Sequence, residues 1–193
     1  MNGYLKWLFF RRGLFLELRA LINRWPGKIT IGKNVSIGCH SLLDRYMGGN
    51  IMISHGVVVC QYCKIATCGG DIFIGSNSAL GDYTTITAQG GVNIGKDVLF
   101  ADHISLIANE HNYDNINTPI KNQGSHVMPI TIGDGSWIGT NATILAGTQI
   151  GKNSVIAAGA VVKGRFPDYC VLGGVPAHII KKFNCEEFVW EKL

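Results

Sequence analysis

The sequence predicts an all-β coil of three-sided turns stacked along one axis. The first observation is a period of six, because Ile132, Ile138, Ile144, Ile150, Ile156 and Val162 hold one phase without a slip. The second is the placing of small residues. Gly133, Gly139, Gly151 and Ala157 follow most of these aliphatics, and Ser136, Ala142, Thr148, Ser154 and Ala160 stand four places on. A helix needs apolar positions about every 3.6 residues and a flat strand every second one, so a period of six belongs to neither. A short fixed period means one structural unit copied along an axis. Three such units close a triangle of about 18 residues, each short strand pointing one aliphatic inward and small residues turning the corners. The third observation is compositional: 25 of the 193 residues are glycine, which suits an architecture made of corners.

Residues 1–26 come first and lack the six-residue phase. Leu5, Leu8, Phe9, Leu16 and Leu21 can share one helical face, with Lys6, Arg11, Arg12, Arg19 and Arg24 elsewhere. An amphipathic helical segment of this kind either caps the open end of the stack or lies on an anionic membrane surface, and the two roles are compatible. Gly13 weakens a continuous helix.

The coil is expected over residues 27–166. Ile31 and Ile37 open it, and Ile53, Val59 and Ile65 carry the next turn. Ile74, Leu80 and Ile86 follow, then Ile94, Phe100 and Leu106. Between turns the spacing stretches at "TCGGD" and "AQGGV", where Gly69, Gly70, Gly90 and Gly91 permit bulged corners. From residue 110 to 129 the phase disappears into a polar, Asn-rich stretch. This is a loop ejected from one corner, and so long a loop in a regular stack is usually functional. Residues 167–193 are expected to form an extended piece between Pro167 and Pro176 and then a short terminal helix over "CEEFVWEKL".

Composition narrows the function. The length suits a single domain with a sizeable core. The net charge of +4 is modest and dispersed, without the basic footprint of a nucleic-acid binder. Of six cysteines, Cys60 and Cys63 have CxxC spacing, but no second pair completes a zinc site, and both fall on corner positions. They read as reduced structural thiols of a reducing compartment. The apolar run from Trp7 to Phe10 is broken by Arg11 and Arg12 and is too short for a signal core or a membrane span. A cytoplasmic protein is expected, with peripheral contact at the inner membrane face as the role open to the N-terminal segment.

The tracts "DVLFADHISLIANEHN" (97–112), "ITIGDGSWIGTNATILAG" (130–147) and "VLGGVPAHIIKK" (171–182) resemble the hexapeptide-repeat acyltransferases. The nearest branch is the sugar and polysaccharide O-acetyltransferases, including the maltose, galactoside and nodulation-factor enzymes, and the likeness covers roughly residues 27–184. The resemblance implies a left-handed parallel β-helix, a departure from the usual right-handed crossover. It also implies a homotrimer with active sites in clefts between subunits, acetyl-CoA as co-substrate and no metal. His111 matches the catalytic histidine. A sugar hydroxyl becomes nucleophilic when a base takes its proton, and imidazole, with an ordinary pKa near ~6.5, can do so at neutral pH.

Acceptor binding falls to Asp82, Tyr83, Asn109 and Glu110. The galactoside and maltose enzymes carry an asparagine where this chain has Gly81, so Asp82 is read either as its replacement or as part of a plain corner turn, "LGDY". Glu110 or backbone carbonyls are also candidates for fixing the His111 tautomer. For the donor, Ala101, Thr140 and Ala158 match positions lining the pantetheine groove, and Lys163, His178 and Lys181 match positions at the nucleotide end. Two of the latter are arginine in the galactoside enzymes, and lysine gives up a bidentate phosphate grip. Trp137 is the common aromatic of this repeat and is expected to pack.

A zinc site from His103, His111 and His126 is an alternative because γ-class carbonic anhydrases share the fold, but the spacing departs from theirs. The expected activity is acetyl transfer from acetyl-CoA to a hydroxyl of a sugar or surface-polysaccharide precursor. An N-acetyltransferase of an amino sugar or xenobiotic, and a non-catalytic β-helix scaffold, are the alternatives.

Overall fold

The computed structural model describes residues 26–193, so the helix expected over residues 1–26 falls outside it but for Pro26. The chain winds into a left-handed parallel β-helix with three flat faces. The first face has seven strands, from Ile29–Ile31 to Arg165–Phe166. The second runs from Ser36–Ile37 to Cys170–Gly174 and then adds two antiparallel strands. The third has six strands, from Leu42–Asp44 to Val161–Val162.

The six-residue phase builds the core. On the third face Leu43 stands over Ile65, Ile65 over Ile86, Leu106 over Ile144 and Ile144 over Val162, all in parallel register and all buried. Ile53, Ile74, Ile94, Ile132 and Ile150 form the matching column on the first face. Strands of two or three residues alternate sides, so Met52 is exposed between buried Ile51 and Ile53. The buried serines have a second duty. Ser136 Oγ donates to the Gly151 carbonyl at 3.0 Å and accepts the Ser154 N–H at 3.2 Å, satisfying backbone groups that a corner would otherwise bury unpaired.

The early coils are longer than eighteen residues. Gln61 reaches Asp82 across 21 positions and Asp82 reaches Asp102 across 20, whereas Ser154 reaches Ser136 across 18. The surplus sits at the corner between the third and first faces. In the next coil that corner releases the loop, so Lys96 donates to Asp134 across 38 positions. The loop leaves as an antiparallel pair, Asn109–His111 against Ser125–Val127, with a short 3-10 turn at Ile120–Asn122 near its tip. Gly90 lies beneath its stem. A Cβ there would sit 2.6 Å from both the Ala108 carbonyl oxygen and the Met128 amide nitrogen, so only glycine fits.

Beyond Phe166 the structure departs from expectation. Parallel pairing continues to Leu172, which stands opposite Ile156. The terminal helix expected within residues 185–193 is instead a strand, Val189–Lys192, paired antiparallel with Ala177–Asn184. Phe183 faces Trp190 across this pair with ring centroids 5.3 Å apart and also touches Phe188 and Tyr169. That aromatic cross-strand packing favours the hairpin. The cysteines of the described residues are free. Cys63 is buried in a corner, its thiol donating to the Gly81 carbonyl at 3.2 Å, and burial pushes that thiol up to about 11. No helix of the described residues is long and apolar enough to cross a membrane.

Candidate active site

The expected site residues fall into three groups. At the end of the loop's first strand, His111 is exposed and stands opposite Ser125, and its ring has no hydrogen-bond or charged partner among the described residues. Adjacent residues of a strand point to opposite sides. Glu110 therefore turns away from His111, and its carboxylate meets Lys163 Nζ at 2.6 Å through Oε1 and 2.8 Å through Oε2. His126, directly across the strand pair, places Nε2 3.4 Å from the same carboxylate. Glu110 is thus committed elsewhere and does not fix the His111 tautomer within this chain. Asn109 is partly buried, and its Oδ1 is a buried acceptor without a partner among the described residues.

The second group lies on another corner, between the second and third faces. Asp82 Oδ1 accepts the Gln61 N–H at 2.8 Å, and the Asp82 N–H donates to Asp102 Oδ1 at 3.0 Å. This is corner capping, the plainer of the two roles set out for "LGDY". Ala101 lies over Gly81, and Ala158 over Gly139, so closely that a Cβ on either glycine would meet backbone within 2.7 Å. Thr140 shares this corner, which offers a column of small residues along the coil axis. Lys163 belongs with the first group, next to Val162 at the end of the third face. His178 and Lys181 form the third group, on the strand that extends the second face.

Sequence reasoning missed two features. One is the partnership of His126 with Glu110, which depends on hairpin register in a stretch without phase. The other is a ladder of rings that takes in Tyr83. His40, Tyr62, Tyr83 and His103 stack in turn at 4.9, 5.0 and 4.7 Å, with interplanar angles of 11°, 4° and 1°. All four are left-handed, with φ between 57° and 61°. Their recurrence at one corner, once per coil, was the available signal. His103, in this ladder, lies apart from the hairpin that carries His111 and His126, so the three histidines do not converge. No group of three or more His, Cys, Asp or Glu side chains suited to a metal occurs among the described residues.

A β-helix of this hand with a hairpin thrown from one corner defines the class: a hexapeptide-repeat coil. Residues 129–164 match the family described as bacterial transferase hexapeptide (six repeats). The chain is 36% identical over 194 residues to an Escherichia coli protein named as a lipopolysaccharide biosynthesis O-acetyl transferase, WbbJ, covering 96% of this chain and 87% of that one. It is 31% identical to a Mycobacterium tuberculosis protein named as an acetyltransferase, Rv3034c, covering 98% of this chain but only 61% of that longer relative. Among solved structures it is similar to a galactoside acetyltransferase in complex with coenzyme A, with a TM-score of 0.56 and 26% identity over 83% of this chain and 66% of that one. The chain belongs to the hexapeptide-repeat acetyltransferases, and it is an acetyltransferase.

Proposed function

We propose that this enzyme moves an acetyl group from acetyl-CoA to a hydroxyl of a sugar or surface-polysaccharide precursor, in the cytoplasm, with His111 as general base. The exposed His111 ring, unpartnered among the described residues, carries the reading, because a base must be free to meet its substrate. The hydroxyl oxygen attacks the thioester carbonyl as His111 takes its proton. The tetrahedral intermediate collapses, the C–S bond breaks, and the imidazolium returns the proton to the departing thiolate. The bound coenzyme A of the similar galactoside enzyme supports this donor, and the O-acetyl transferase relative supports a hydroxyl acceptor.

The reaction centre is shared between copies in a homotrimer. His111 and the small-residue column Ala101, Thr140 and Ala158 occupy different corners of one coil. At about 3.3 Å per residue a six-residue face spans roughly 15–20 Å, too far for one imidazole to reach around. A neighbouring copy brings the two corners together. The second face offers it an apolar stripe, with Leu99 at 53% and Trp137 at 50% exposure, in register with Ala79 and Val155. Trp137, expected to pack, stays half exposed among the described residues. Tyr83 then lines the acceptor side beside Asn109, with Asp82 capping the corner that carries it, and His178 and Lys181 lie toward the nucleotide end of the donor.

The test is acetyl transfer from radiolabelled acetyl-CoA to a panel of sugars, oligosaccharides and amino sugars. His111→Ala is expected to lower the rate about a hundredfold or more while leaving the fold intact. Retained activity rules out this mechanism, and transfer only to amino groups replaces the acceptor.

A further inference from the structure

We propose that Lys163, acting through Glu110, is the positioning residue of the strand that carries His111, rather than a contact for the donor. The inference rests on the reading of His111 as base. Glu110 and His111 are neighbours on one short strand, so their side chains leave its two sides. Whatever holds Glu110 therefore fixes the orientation of His111 without touching it. Both Glu110 oxygens meet one ammonium, at 2.6 and 2.8 Å, and that ammonium belongs to a residue 53 positions later, at the last corner of the third face. The ejected hairpin is thereby tied to the second coil beyond the one it left.

The tie continues outward through the loop. His126 places Nε2 3.4 Å from Glu110 Oε2 and Nδ1 3.1 Å from Asn112 Oδ1. The orientation of that amide is fixed, because Asn112 Nδ2 donates to the Gln123 carbonyl at 3.1 Å. Gln123 in turn donates to the carbonyls of Asn115 and Thr118 at 2.9 and 2.7 Å and accepts the Asn115 N–H at 3.0 Å. A continuous path, Gln123–Asn112–His126–Glu110–Lys163, thus runs from the loop tip to the body of the coil. A loop rich in Asn would otherwise leave its base poorly held, and misplacing a reacting group by about 1 Å can cost on the order of a hundredfold in rate.

Steady-state kinetics separate this role from donor binding. In Lys163→Met and in Glu110→Gln, kcat is expected to fall about tenfold or more with the KM for acetyl-CoA unchanged. Lys163→Arg, which still reaches the carboxylate, is expected to keep most of the rate. The reversed pair Glu110→Lys with Lys163→Glu is expected to recover activity over either single change. A raised KM for acetyl-CoA with kcat intact in Lys163→Met overturns the proposal, as does an unchanged enzyme. His111→Ala runs alongside: if it keeps activity, the mechanism itself falls. If it is inactive while Lys163→Met keeps its kcat, only the positioning role falls.

Discussion

Tyr83 is the best place to test what the ring ladder contributes. Its ring is stacked between Tyr62 at 5.0 Å and His103 at 4.7 Å, nearly parallel to both, and it is 47% exposed. Its backbone is left-handed at φ 60°, a conformation that costs an ordinary L-residue about 1–2 kcal/mol. Stacked aromatic pairs contribute roughly 0.5–1.5 kcal/mol each, and half-exposed rings belong at the lower end. Tyr83→Ala removes both contacts and keeps the backbone strain, so the loss is about 1–2 kcal/mol. Tyr83→Asn also removes both contacts but relieves strain, because asparagine tolerates the left-handed region. Asn141 already occupies the equivalent corner of the coil after His103, at φ 61°. The asparagine variant should therefore lose no more than about half as much. For a chain of this size 1 kcal/mol moves the melting temperature by about 2–4 °C, so Tyr83→Ala should melt roughly 2–8 °C lower and Tyr83→Asn clearly less. Differential scanning calorimetry at one protein concentration reads both. If Tyr83→Ala melts with the parent, stacking contributes nothing; if Tyr83→Asn falls as far as Tyr83→Ala, the argument from strain is wrong.

Gly90→Ala puts a methyl 2.6 Å from backbone atoms at both ends of the loop stem, so it should cost about 2 kcal/mol or more and loosen the hairpin. Hydrogen exchange of residues 109–127 would rise, and unchanged protection there would refute the close approach. Burial raises the Cys63 thiol to about 11, so at pH 8 it should resist maleimide while exposed Cys39 and Cys185 react. Because the folded state keeps this proton when the unfolded chain has lost it, the contribution is full below pH ~9 and is lost as pH rises through ~11. Chemical unfolding at pH 8 and 10.5 should show the drop, and Cys63→Ser should reduce it, the thiols of Cys60, Cys68 and Cys170, also raised by burial, keeping the remainder.

The core was legible because its chemistry is periodic: each inward aliphatic sits six places from the next, and no other regular structure asks for that. The point where the loop leaves was legible because the phase stops near Glu110. The C-terminal hairpin was not, because its local chemistry also resembles a helix start. Asn184 precedes two glutamates as an N-cap would, yet its Oδ1 accepts the N–H groups of Glu186 and Glu187 to make a turn. The choice is settled by Phe183 meeting Trp190, a contact that exists only once the strands pair. The candidate site was read one residue at a time. Which corner each residue occupies depends on counting coils of unequal length, and that separates His111 and Lys163 from Ala101, Thr140 and Ala158.

The claim that the reaction centre is shared between copies is tested most directly by mixing two dead enzymes. One carries His111→Ala and the other Ala158→Trp, which fills the small-residue column, and the two are co-expressed and purified together. If base and groove come from different copies, random assembly rebuilds intact sites and returns about a quarter of the parent activity. If both belong to a single chain, the mixture stays as inactive as its parts, and the account of the active site fails.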